Sequence, residues 1–231
     1  MNSKMFSPAT IVTFDVTIVW RIASNQFVEH ERGKCWLFKK HVPVTAVKYI
    51  NDVISYAVID DNVNTKIMMI GVHIPYDDGS KYRYLQYKST LEFITALLQE
   101  NLDKLVMITG DFNSDLERNR RYDTLLNDFI SEHELVSYEY IFHGQVKYTY
   151  KNAELRNHID HILGRIDDKN RILNCEILED ASNMSDHNAI SIEIERVLMK
   201  NQDTNELRNF HKFNWYKDEF IYKYNECLEI N

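Results

Sequence analysis

Two near-continuous apolar runs, separated by one amphipathic stretch, constrain the fold of this chain most. "KIMMIGVHIP" (residues 66–75) and "KLVMITGDFN" (104–113) hold so few polar residues that each reads as a largely buried strand. Between them, "QYKSTLEFITALLQENL" (86–102) puts Leu91, Ile94, Leu97 and Leu98 on one face of a 3.6-residue period, which predicts a helix. A second helix is predicted over 121–133, with Tyr122, Leu125, Leu126 and Phe129 on one side. Upstream, "VISYAVID" is a further strand. Downstream, "KYTY", "HIDHIL" and "ILNCEIL" are short strand candidates. "NAISIEIERV" is the clearest strand, since Ile190, Ile192 and Ile194 alternate with Ser191, Glu193 and Glu195. This order implies a mixed α and β domain with layered sheets.

The bulk properties narrow the classes. A chain of 231 residues is long enough for one domain with a substantial core. Six Gly and three Pro argue against long flexible linkers. No uncharged apolar run approaches the ~18 residues of a membrane span. The N-terminus lacks a basic lead followed by a clean apolar core, because Asp15 interrupts it, so no secretory signal is expected. Three widely spaced cysteines make neither a zinc knuckle nor a disulfide framework, which points to a reducing compartment, nucleus or cytoplasm. A formal net charge of −8 argues against holding nucleic acid by surface charge alone. It leaves room for a nuclease whose acidic site takes a divalent cation. The one dense basic run, Arg118 to Arg121, reads equally as a solvated helix start or a DNA contact.

Polar residues gather at strand ends in four places. They are His73 in "GVHIP", Asp111 and Asn113 in "GDFNSD", Asp160 in "NHIDHIL", and Asp186 and His187 in "MSDHNAI". In an extended chain Asp111 and Asn113 would share one face. Each place also has a bland reading. His73 is a tolerated strand residue, GDFN a turn, Asp160 and its flanking histidines a surface ion pair, and Ser185-Asp186-His187 a turn before the last strand.

Taken together and in this order, GDFN, then an Asp inside I-D-H-I, then S-D-H leading into an alternating strand resemble the endonuclease/exonuclease/phosphatase superfamily. Within it the likeness is to the endonuclease domain of non-LTR retrotransposons. "GVHIPYD" and "KYTYKN" stand where those domains carry similar segments. The tail "KFNWYKDEFIYKYNECL" is similar to the junction with a reverse transcriptase. The resemblance implies a four-layer α-β-β-α sandwich of two packed mixed sheets, spanning 33–198. Residues 1–32 would be a divergent leader, and 199–231 a polar linker with a short helix. It implies Mg²⁺ (or Mn²⁺) as cofactor and DNA as partner. By the same resemblance Asp160 orients His187, and His187 is the base or a phosphate contact. Asp186 and Asp111 serve the metal, Asp111 also serves the water or leaving group, and Asn113 hydrogen-bonds the phosphate. His73 stands where the family has tyrosine. The family's leading asparagine strand and metal-binding glutamate strand have no match in residues 1–32. Glu29 and Glu31 sit in the loop-like "FVEHERGK". The first strands are therefore expected to be missing, and cutting by this chain to be weak.

Three functions fit these residues. One is a metal-dependent DNA endonuclease that nicks one strand. Another is an inactive remnant that binds nucleic acid or a protein. The third is a phosphatase of the same superfamily.

Overall fold

The computed structural model describes residues 12–13, 36, 38, 42–60, 66–143, 147–152, 155–179, 183 and 185–195. Its strands are β1 (Val12–Thr13), β2 (Val44–Tyr49), β3 (Ile54–Asp60), β4 (Lys66–His73), β5 (Leu105–Asp111), β6 (Leu135–Ser137), β7 (Tyr150–Asn152), β8 (Leu155–Asn157), β9 (Asp160–Arg165), β10 (Ile172–Leu178) and β11 (Ala189–Ile194). The helices are α1 (Lys81–Glu100), α2 (Arg121–Glu132) and α3 (Tyr138–His143). A six-stranded sheet runs β2-β3-β4-β5-β9-β6, a second sheet runs β1-β11-β10, and β7-β8 form a small hairpin. The large sheet is mixed: β4 and β5 are parallel, and their neighbours are antiparallel.

Alternation along the central strands builds two cores. Met68, Ile70 and Val72 of β4, with Val106 and Ile108 of β5, face Tyr87, Leu91, Ile94, Tyr122 and Leu126 of the helices. Ile67, Met69, Leu105 and Met107 face the other way, onto Ile172, Cys175, Ile192 and Ile194 of the second sheet. Buried on both sides, β4 and β5 must be apolar throughout, which is why they stand out in the sequence. The architecture is α/β, with two packed sheets and helices against the larger one.

Helix α1 starts five residues before its expected beginning. The Ser80 side chain accepts the Arg83 amide at 3.1 Å and so caps the helix there. β2, β6, β8 and α3 were not expected. β2 mixes exposed polar and apolar positions, and β6 and β8 are three residues each. Val12–Thr13, within the expected leader, pairs antiparallel with β11, Val12 opposite Ile194. The leader thus supplies a strand to the second sheet. The rest of the leader, Glu29 and Glu31 included, lies outside the described residues, as does the tail 199–231. No helix among the described residues is long and apolar enough to cross a membrane.

Candidate active site

The register of three adjacent strands sets one row of titratable side chains. His73 pairs with Asp111 across β4–β5, and Asp111 pairs with Asp160 across β5–β9. The row stands at the carboxyl ends of the parallel pair, where ligands bind in open α/β sheets. The loop entering β11 then brings His187 down onto Asp160. His187 Nδ1 lies 2.8 Å from Asp160 Oδ2, and its ring tilts against Tyr150 at 5.0 Å. The ligand atoms of Asp111, Asp160 and His187 all lie within 4.8 Å of one another. His73 Nε2 is 3.8 Å from Asp111 Oδ2, at the partly exposed edge of the row.

Asn113 joins the site by a route other than the pleat. Its φ of 51° ends the extended run, and its own amide N–H donates to Asp111 Oδ1 at 2.8 Å. The side-chain amide donates to Ile74 O at 2.8 Å and to Asp111 Oδ2 at 3.1 Å. Asn113 therefore holds Asp111 and the end of β4. It is a turn residue and a site residue at once. The same holds for the S-D-H segment, where the His187 amide donates to Ser185 Oγ at 3.1 Å. Asp186 is half-buried next to His187. It lies outside the group of three whose ligand atoms converge.

Asp111 and Asp160 are both more than nine-tenths buried. Burial first, and the neighbouring Asp160 charge second, push the Asp111 carboxyl up to about 8. Burial pulls His187 down, but the hydrogen bond and charge of Asp160 outweigh it and raise the imidazole to about 9. The site is therefore short of positive charge, and a hard divalent cation suits its carboxylate oxygens. Asp111 and Asp160 are the carboxylates placed to hold one. Without a cation, His187 is an imidazolium at neutral pH, suited to hold a phosphate oxygen. A cation held by Asp111 and Asp160 would lower its basicity toward the range of a general base.

Sequence reasoning missed Thr149. This buried hydroxyl accepts the amides of both Ile159 and Asp160 at 3.0 Å, and Thr149 O accepts the Asn188 amide at 2.6 Å. It ties the start of β9 to the loop carrying His187. The bland reading of Asp160 as a surface ion pair with its flanking histidines does not hold: His158 and His161 are both buried, and His161 pairs with Glu139 instead. The basic run is largely neutralised. Arg118 is bound by Asp123, at 3.0 and 2.9 Å, and Arg121 by Asp77.

The fold matches solved structures. The endonuclease domain of TRAS1, a telomere-specific non-LTR retrotransposon, aligns with a TM-score of 0.57 and 16% identity, covering 78% of this chain and 79% of that one. The chain has the endonuclease/exonuclease/phosphatase fold. The 3′ phosphatase NExo from Neisseria, bound to a product DNA hairpin, aligns with a TM-score of 0.52 and 16% identity over 66% of this chain and 72% of that one. The AP endonuclease LMAP from Leishmania major aligns with a TM-score of 0.54 and 10% identity over 63% of this chain and 55% of that one. No protein-family model matches the sequence, and no curated protein matches it.

Proposed function

We propose that this chain is a divalent-metal-dependent phosphodiester hydrolase acting on DNA, a retrotransposon-type endonuclease that makes single-strand nicks. The observation that carries this reading is the Asp160–His187 pair beside Asp111, at the end of the central strands. Mg²⁺ or Mn²⁺ on Asp111 and its neighbours would supply charge relief to the phosphoryl oxygens. Asp160 fixes the His187 tautomer, since Nδ1–H donates to it and Nε2 is left to face the substrate. His187 binds the phosphate or takes the proton of the attacking water. Asn113 keeps Asp111 in place. The similarity to the TRAS1 endonuclease domain supports the retrotransposon origin, and the three neighbours together support DNA as substrate.

The similarity to a 3′ phosphatase favours a second reading, removal of a terminal phosphate. One experiment separates them. The purified chain is incubated with supercoiled plasmid, with an abasic-site duplex and with a 3′-phosphate hairpin, each with Mg²⁺, Mn²⁺ or EDTA. Plasmid nicking that needs metal and is lost in Asp111→Ala and His187→Ala supports the endonuclease. Release of phosphate alone supports the phosphatase. Metal-independent cutting, or cutting unchanged in both variants, refutes both.

A further inference from the structure

A second cluster lies on the other side of β9. Glu139 of α3, His158 of the turn entering β9, and His161 of β9 are 1%, 3% and 0% exposed. Glu139 Oε1 is 2.7 Å from His161 Nδ1 and 3.5 Å from His158 Nε2. One ligand atom from each residue lies within 4.8 Å of the others. His158 is sandwiched between the rings of Tyr140, at 4.9 Å, and His161, at 4.8 Å.

We propose that Glu139, His158 and His161 form a structural metal site for a borderline transition-metal ion such as Zn²⁺, separate from the hydrolytic centre. Two imidazole nitrogens and one carboxylate oxygen match zinc and not magnesium or calcium. The outer contacts are those of metal ligands. His161 offers Nδ1 inward and donates Nε2–H to Ser114 O at 2.9 Å, while Glu139 offers Oε1 inward and accepts the Ile162 amide on Oε2 at 3.1 Å.

The alternative is a buried pair of Glu139 carboxylate and His161 imidazolium with no ion. That pair accounts for two of the three residues. Among the described residues it leaves both ring nitrogens of His158 buried with no well-formed hydrogen bond, the approach to Glu139 being a long 3.5 Å. Such orphans are rare and costly. An ion supplies the missing partner at Nε2, leaving Nδ1 as the one buried nitrogen still without a partner among the described residues. Ligand atoms about 2.0–2.1 Å from a tetrahedral ion sit roughly 3.3 Å apart, so the 3.5 Å pair fits as it stands. The 2.7 Å pair must open slightly as His161 Nδ1 gives up its proton, which leaves to solvent. The ion would clamp α3 to β9 and to the Ser114 carbonyl, behind the Asp111 loop. Nothing in this assignment depends on what the first centre hydrolyses.

The full chain is refolded with Zn²⁺, Co²⁺, Mg²⁺ or EDTA, desalted, and assayed for bound metal and thermal stability. One equivalent of retained Zn²⁺ is expected, with the visible bands of a four-coordinate Co²⁺ ion. With zinc added back to 100-fold above its Kd, the expected rise in Tm is roughly 5–10 °C. His158→Gln and His158→Phe should abolish retention, bands and rise, and Asp111→Ala should keep all three. His158→Phe fills the ring sandwich, so circular dichroism can establish that it folds. Folded wild-type chain that retains no zinc and shows no Co²⁺ bands overturns the proposal. So does retention that survives both His158 variants, or that is lost in Asp111→Ala.

Discussion

Replacing Asp160 with Asn removes one charge and little volume, and its effect follows from the contacts of His187. The wild-type imidazole is raised from 6.5 to about 9. That gap of about 2.5 units corresponds to about 3 kcal/mol favouring the imidazolium, at ~1.36 kcal/mol per unit. It is net of burial, which acts in the opposite direction. The chief supports are the hydrogen bond and charge of Asp160, with smaller help from Asp111 and Asp186. In Asp160→Asn the side-chain oxygen can still accept Nδ1–H, but the charge is gone and the burial cost stays. His187 should then titrate well below its wild-type value, at or below the ordinary histidine value. Asp111 should fall as well, since the Asp160 charge is the second cause of its elevation. The assay is an NMR titration of the histidine ring protons in EDTA, with His187 assigned by its loss in His187→Gln. A His187 that stays near 9 in Asp160→Asn would refute the pairing as the source of its basicity.

Other consequences can be tested alongside. Asp111 keeps a proton in the fold that the unfolded chain releases above about pH 4, and His187 stabilises the fold fully below 6.5 and loses that contribution as pH rises through about 9. Metal-free stability should therefore decline from about pH 4 to 9. Asp111→Asn should flatten that decline and raise Tm at pH 8, and added Mg²⁺ should stabilise only the wild type. Thr149→Val leaves the Ile159 and Asp160 amides without their acceptor, at a cost of ~1–3 kcal/mol each in urea unfolding, and slows any cutting through displacement of Asp160. Gly164→Ala puts a methyl into the Tyr138 ring and hydroxyl, an overpacking cost of ~1–3 kcal/mol; unchanged stability would show that Tyr138 can swing away. His187→Ala should lower any nicking rate by ~10²–10⁴.

The legible parts of this sequence are those where burial forces a pattern. β4 and β5 show as unbroken apolar runs because both faces are covered, and β10 matches its predicted span over Ile172–Leu178. α2 matches to one residue because its Tyr122, Leu126 and Phe129 must meet the sheet. The row of His73, Asp111 and Asp160 was legible as strand-end residues, but its order depends on register, which no local pattern states. Glu139 was invisible for the same reason. It pairs with residues on another element, and "SYEYIF" carries no sign that its glutamate points inward. α3 follows β6 with no breaker between them, so neither boundary shows. Thr149 is a single hydroxyl whose role lies in two backbone amides, and sequence patterns record side chains only.

The parity of β9 has a further consequence. Asp160 and His161 are neighbours in the chain, yet one meets His187 and the other meets Glu139. Slipping β9 by one residue against β5 would set His161 opposite Asp111 and turn Asp160 toward Glu139. A slip of two would restore the facing but bring Ile162 opposite Asp111. A deletion or insertion between Thr149 and Asp160, if absorbed by sliding, would thus disable both clusters at once, even with every functional residue present. The length of that segment is as much a part of the design as its composition. Substitutions there, His158 apart, should be survivable where changes of length are not.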